Sequence, residues 1–512
     1  MTFGHRLVSL VSSGLLLGVP CGSPANWAKA QSQPDGATVK VYSRLVVLDV
    51  TVTDSKGNPV LDLRKDEVRV YESGQLQTVR SFDAPETHRM PKGPAGTVPV
   101  HGTADLPRIG EAPVTVLVLD ELNLDYADES YAHQKLEAWL RTQPAVLPNP
   151  AALMAVTYKD FEVLQDYTQD RDALLKTLKA HIPITPWRKD SNGSVGGAAS
   201  DVMFETLGAL EQVAQATRGI PGRKNLIWVG DGFPSVNTTD AGQDASEAIQ
   251  DYLRRITNAF LKARVTLAVI GPTLKTSQPV VVETQSQVNA VLGGAVDPFN
   301  NGDLTFASLA PPSGGRAYAN RNDLDKEIGE SVDAGLNFYT LSYIPTDNSD
   351  NPKQYRRIRV EILRPGLTAR TRDGYFSEPD KPQEPTRQQL AFDLYGAAHS
   401  TLQYTDLHVK AKRLDRSDYA LNIDAGQMTW LDKPDGTRHA DTIVLAVYLS
   451  ARGKILSRDI ALMGSETASP ASLSGATETL KTKVKPPPGT VRIRFVLRDA
   501  SSGRVGTADA NP

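Results

Sequence analysis

Two carboxylates stand where a protein can do chemistry. Val114-Thr-Val-Leu-Val-Leu-Asp120 and Asn225-Leu-Ile-Trp-Val-Gly-Asp231 are continuous apolar runs, each ending in an aspartate. Short runs apolar on both faces mark strands buried in a mostly parallel sheet. Ligands of open α/β sheets bind outside the carboxyl ends of such strands. Asp120 and Asp231 are therefore expected at a ligand-binding edge. A structural use competes with that reading, because aspartate also caps helix N-termini and accepts hydrogen bonds from loop amides. Both readings stay open on the residues alone.

Other chemistries find little support. The eight histidines are scattered, and no pair has zinc-ligand spacing. There is no G-x-S-x-G elbow and no P-loop. Gly193-Ser-Val-Gly196-Gly197 sits in a polar loop that follows no strand, so it does not read as a nucleotide fingerprint. The expectation is a protein that is not an enzyme. With 56 basic against 59 acidic side chains and a net charge of −3, no nucleic-acid or anionic-membrane partner is indicated. Lys481, Lys483 and Lys485 before Pro486 read as a solvated strand edge. Asn192-Gly-Ser194 and Asn237-Thr-Thr239 match glycosylation sequons and read as exposed turns.

The elements that position these residues can be read along the chain. At 512 residues, with 40% hydrophobic and 22% charged residues, the composition is globular and long enough for several domains. His5 and Arg6 precede a short apolar stretch from Leu7 to Pro20, and Ala28-Lys29-Ala30 suits a signal peptidase. Residues 1–30 are therefore expected to be a signal peptide, with Gln31 as the new N-terminus. The lone cysteine, Cys21, lies in that segment, so the mature body is expected to hold no disulfide; a lipid anchor on Cys21 is the alternative. No later apolar stretch is long enough to span a membrane. The chain is expected to be secreted or periplasmic.

Residues 36–84 alternate as short strands between Gly/Asn/Pro turns and predict a small N-terminal β-sandwich. Residues 85–113 read as a linker. From 114 to 345 apolar strands alternate with helical stretches, which predicts a mostly parallel sheet covered on both faces. In that reading the strand Phe338 to Ile344 closes the α/β unit. Residues 346–377 add an antiparallel β extension, 378–388 a second linker, and 389–512 a C-terminal β-sandwich. Thr273 to Asn301 is a polar insertion.

Residues 114–345 resemble a von Willebrand factor A-type domain, and the mature chain resembles the acidobacterial VWFA-related family. The stretches that carry the resemblance are Val116-Leu-Val-Leu-Asp-Glu-Leu-Asn123, Gly219-Ile-Pro-Gly-Arg-Lys-Asn-Leu-Ile-Trp228, Val229-Gly-Asp-Gly-Phe-Pro234, Gly314-Gly315-Arg316 and Tyr339-Thr-Leu-Ser-Tyr343. Further on, Arg372-Asp-Gly-Tyr375, Leu497-Arg-Asp499 and Gly503-Arg504 also fit. The resemblance implies a doubly wound α/β fold of von Willebrand A or Rossmann type, flanked by two all-β sandwich modules.

It also implies Mg²⁺ or another divalent cation at the sheet edge, held by hard oxygen ligands and completed by a carboxylate from a protein or cell-surface partner. Asp120 and Asp231 match the two acidic positions. The two serine positions are Leu122 and Leu124, and the threonine position falls at Ala198. Asn123, Asp125 and Ser200 are the candidate substitutes. The implied function is adhesion or protein binding through a degenerate cation site; the alternative is a metal-free structural or assembly scaffold of the cell envelope. The resemblance leaves the ligand unidentified.

Overall fold

The computed structural model describes residues 45–93, 96–97, 99–157, 161–183, 196–233, 236–237, 243–272, 280–282, 303–319, 323–347, 351, 354–378, 385–467, 473 and 475–512. The expected signal segment, Cys21, the first sequon and most of the 273–301 insertion lie outside the described residues. Residues 45–512 form one compact unit.

At its centre is a seven-stranded sheet. Its strands are β5 (Val114–Asp120), β6 (Val146–Val156), β7 (Phe161–Asp170), β8 (Lys224–Val229), β9 (Val265–Ile270), β10 (Val280–Val282) and β11 (Ala317–Ala319). They run in the order β10-β11-β9-β8-β5-β6-β7. Every residue of β5, β8 and β9 is buried, as both-faced burial between helical layers requires. Side-chain alternation along β5 divides the packing. Val114, Val116 and Val118 face one core, which α3 (Gly196–Thr217) and α4 (Gln243–Lys262) cover through Leu207, Leu210, Leu253 and Ile256. Leu117 and Leu119 face the other core, covered by α1 (Tyr126–Thr142), α2 (Arg171–Ala180) and α5 (Leu324–Leu336).

The expected class, a doubly wound, mostly parallel fold of von Willebrand A or Rossmann type between two all-β sandwiches, is corrected by the strand pairing. Only this one sheet contains parallel pairs, and it is mixed. β5, β6, β8, β9 and β11 pair in parallel, whereas β7 and β10 lie antiparallel at its edges. All other sheets among the described residues are antiparallel. The chain is a mixed α/β fold dominated by antiparallel sheets. The physical reason at the edge is connection length. Val156 is joined to Phe161 by too few residues for a helical crossover, so β7 folds straight back on β6.

A second correction concerns the N-terminal sandwich. The strands β1 (Val46–Thr53), β2 (Val68–Glu72), β3 (Gln75–Gln77) and β4 (Val79–Asp83) do not close a module by themselves. They are completed by β12 (Tyr339–Tyr343), β13 (Tyr355–Ile362), β14 (Thr368–Arg370) and β15 (Gly374–Phe376), in the sheets β14-β1-β12-β4 and β15-β13-β2-β3. The strand expected to close the α/β unit is therefore inserted between β1 and β4, with Leu341 opposite Leu48 on one side and Phe82 on the other. The segment expected as a linker, 85–113, also packs down: Val100, Leu106 and Ile109 are buried in the central core.

The C-terminal module begins with α6 (Arg387–His399). One sheet holds β16 (Val409–Arg413), β17 (Asp418–Asp424) and β21 (Thr477–Lys483). The other holds β18 (Leu431–Asp432), β19 (Arg438–Leu449), β22 (Arg492–Asp499) and β23 (Val505–Ala510), with β20 (Ile455–Thr467) paired to β19. Tyr419, Leu421, Tyr448 and Phe495 fill the space between the sheets. Leu394, Tyr404, Val447 and Val496 join the central core, so the module is fused to the α/β unit through continuous apolar packing. Among the described residues no helix is long and apolar enough to cross a membrane.

Candidate functional site

β5 delivers Asp120 to the carboxyl edge of the central sheet, where it is buried. Its oxygens are taken up by the chain. Oδ1 accepts from the Asn123 backbone N–H at 3.1 Å and from Asn123 Nδ2 at 2.7 Å. Oδ2 accepts from Trp228 Nε1 and from the Gly232 N–H, each at 2.9 Å. Two glycines make this possible. A Cβ on Gly230 would stand 2.2 Å from Asp120 Cβ, and Gly232 takes the left-handed conformation (φ +68). Burial pushes the Asp120 carboxyl above its ordinary range, and the donors from Trp228, Asn123 and Gly232 oppose that shift.

The other sequence-derived candidates have separate positions. Asp125 caps α1, accepting from the Asp128 N–H at 3.0 Å. Asn123 gives its backbone and side-chain N–H groups to Asp120, with a long 3.4 Å contact from Nδ2 to Thr206 Oγ1, while its Oδ1 is buried without a hydrogen-bond partner among the described residues. Asp231 reaches the same edge one strand over, and its Oδ1 lies against Gly271, 2.3 Å from where a Cβ would be. Leu122 and Leu124 are buried in the two cores on either side of the sheet. Ala198 and Ser200 fall at the start of α3, and their side chains lie outside the described residues. A carboxylate receiving four protein donors anchors the edge loops in this structure. Among the described residues no group of three or more His, Cys, Asp or Glu side chains is gathered to hold a metal ion.

Next to Asp120, the wholly buried Glu121 meets the ring of His181, which caps the end of α2. That hydrogen bond raises the His181 pKa, against the opposing effect of partial burial. Sequence reasoning gave neither residue a role, since they are sixty positions apart.

Sequence reasoning also missed a cleft of about 640 Å³ between α3, α4, the Phe376–Glu378 segment and the C-terminal module. Its lining is built from ion pairs: Arg218–Asp406 at 3.1 Å, Arg255–Glu211 at 3.5 Å, Lys262–Glu378 at 2.7 Å and Arg498–Asp393 at 3.0 Å. Arg254 and Asp251 pair one helical turn apart on α4. Arg255 also stacks on Tyr252, 4.2 Å from the ring centre. On the C-terminal side, Asp499 gathers the N–H groups of Ser501 and Ser502 and the Ser502 hydroxyl, which fixes the loop at the rim.

In two of these pairs the cation is the outer member. The Arg218 side chain is 32% exposed against 12% for Asp406, and Arg255 is 36% against 3% for Glu211. Burial raises the Glu211 carboxyl to about 7, which Arg255 only partly offsets. These two pairs turn their guanidiniums outward, whereas the Arg254–Asp251 pair turns its carboxylate outward (19% against 58% exposed) and Lys262 and Glu378 are about equally exposed. No histidine or cysteine is among the residues that line it.

No family model matches the chain. No curated protein matches it either. Among solved structures, the chain is similar to proximal thread matrix protein 1 from the mussel byssus at 11% identity and a TM-score of 0.20, over 32% of this chain and 38% of that one. It is similar to Bacteroides uniformis β-glucuronidase 2 at 12% identity and a TM-score of 0.12, over 34% of this chain and 18% of that one. An endonuclease/exonuclease/phosphatase from Beutenbergia cavernae gives 12% identity and a TM-score of 0.12, over 35% and 38%. The chain thus spans well under half the length of each, and likeness at these scores carries no argument about fold or activity.

Proposed function

We propose that this is an exported, non-catalytic binding protein that needs no metal ion and takes a carboxylate-bearing segment of a protein or cell-surface partner into the cleft between α3, α4 and the C-terminal module. The observation that carries the proposal is the arrangement of the cleft pairs, in which Arg218 and Arg255 stand outward of Asp406 and Glu211. Fixed guanidiniums are suited to bidentate recognition of carboxylates. Their acidic partners, 3.1 and 3.5 Å away, bias where the guanidiniums stand before a ligand arrives, which lowers the ordering cost of binding. The four donors on Asp120 support the metal-free form of the reading over cation-assisted adhesion.

Fluorescence anisotropy with labelled Asp/Glu-rich and Lys/Arg-rich decapeptides tests this proposal on residues 31–512. The acidic peptide is expected to bind saturably, and Arg218→Glu with Arg255→Glu should weaken it at least tenfold. Equal binding of both peptides, or an affinity indifferent to the charge reversals, contradicts the proposal. Export is tested separately by the mass of the protein recovered outside the cytoplasm, which should begin at Gln31.

A further inference from the structure

A second charged cluster lies away from the cleft, where the amino-terminal ends of β8 and β9 meet the first sandwich. Arg223, Lys224 and Arg372 are all at least nine-tenths buried there, beside Arg264. Two carboxylates are at hand, and both are spent on Arg264. Asp49 accepts from its Nη2 at 2.7 Å and its Nε at 3.3 Å, and Glu111 takes its Nη1. Thr340 Oγ1 closes the Asp49 side at 2.9 Å. Lys224 Nζ donates to the Ile220 carbonyl.

The remaining guanidiniums are only partly satisfied among the described residues. Arg223 lies over the Phe338 ring at 5.1 Å, and its Nε and Nη1 have no acceptor. Arg372 donates through Nη2 to the Phe260 carbonyl at 3.3 Å, while its Nη1 has none. Asp49 attracts both cations, but they also repel each other, and Arg264 and Arg370 add to the repulsion on Arg223. Asp49, already bonded to Arg264, is thus shared among three guanidiniums, and incompletely paired buried charge costs several kcal/mol.

We infer that the unfilled N–H groups of Arg223 and Arg372 hold a buried small inorganic anion of halide size. The charge balance favours a monovalent species. Asp49 stands in the same cluster and would repel a dianion, and desolvating a doubly charged ion at so buried a place costs far more than desolvating a halide. The donors that a single spherical acceptor can share are the amino groups at Arg223 Nη1 and Arg372 Nη1, because the Nε–H of a guanidinium points away from its own Nη1.

The test is thermal unfolding of the full chain in sodium chloride, sodium bromide and sodium gluconate at one ionic strength. Chloride and bromide are expected to raise Tm saturably by several degrees over gluconate, because a ligand that binds only the folded state stabilises it by mass action. Arg223→Met should lose that anion-specific rise. Should Arg223→Met fail to fold, a bromide-soaked crystal of the unaltered protein decides. An anomalous bromide peak between Arg223 and Arg372 supports the site. A peakless, water-like density there, or equal Tm in chloride and gluconate, overturns it.

Discussion

Asp120 Oδ2 accepts a hydrogen bond from the indole Nε1 of Trp228 at 2.9 Å, across two neighbouring parallel strands. Trp228 is itself wholly buried, its ring tilted against Phe306 with centroids 4.8 Å apart. The carboxylate thus ties the indole, the Asn123 loop and the Gly232 turn into one unit at the sheet edge. Asp120→Ala leaves those buried donors without an acceptor, each worth roughly 1–3 kcal/mol. The expected loss is about 3 kcal/mol or more, read as a lower urea midpoint. Asp120→Asn, which keeps one acceptor oxygen, should lose less. Equal stability of Asp120→Ala and the unaltered protein would contradict the anchoring role.

Glu211 supplies a pH signature. Its carboxyl is raised from 4.5 to about 7 in the folded chain by burial. The folded state therefore holds a proton that the unfolded state gives up earlier. The contribution of Glu211 to stability is full below pH about 4.5 and is lost as pH rises to about 7. At the conversion of 1.36 kcal/mol per pKa unit the loss is about 3 kcal/mol. Urea unfolding of Glu211→Gln across this window should show a flatter profile than the unaltered protein.

His181 has the same sign of dependence. Its pKa is raised from 6.5 by the hydrogen bond to Glu121. The pair's contribution is present below pH 6.5 and is lost as pH climbs through the raised value. The His181 ring resonances followed by NMR should titrate above the ordinary histidine range. In Glu121→Gln that titration should fall back towards 6.5.

Glu72 tests the rebuilt N-terminal sandwich. This buried carboxylate on β2 receives Arg356 Nη1 at 2.8 Å from β13, Tyr343 Oη at 2.6 Å from β12 and Tyr375 Oη at 2.9 Å from β15. Breaking a buried ion pair by removing one partner costs about 3–5 kcal/mol, so Glu72→Ala should unfold several degrees lower. The same architecture predicts that residues 114–345 do not fold alone. That fragment takes Tyr339–Tyr343 away from both β1 and β4. A cooperative thermal transition of 114–345 would contradict this.

How much could be read from the chain follows from which signals are local. β5, β8 and β9 are legible because an apolar run such as Val114 to Leu119 has few other uses. The destination of Tyr339–Tyr343 is not, since an apolar run carries no record of which sheet receives it. Nor is the direction of β7, which a short connection decides. An aspartate after an apolar strand looks the same as ligand or anchor. The difference lies in Trp228 and Gly232, which meet Asp120 only after folding. The cleft has no local signal, because Glu211, Lys262, Asp406 and Arg498 come from widely separated segments.

The most direct test of a metal-independent binding protein is calorimetric titration of Mg²⁺, Mn²⁺ and Ca²⁺ into residues 31–512, repeated with Asp120→Asn. With the Asp120 oxygens already taken by Asn123, Trp228 and Gly232, no saturable heat is expected for any of the three cations. Saturable binding that Asp120→Asn abolishes would contradict the account and return Asp120 to the role of cation ligand.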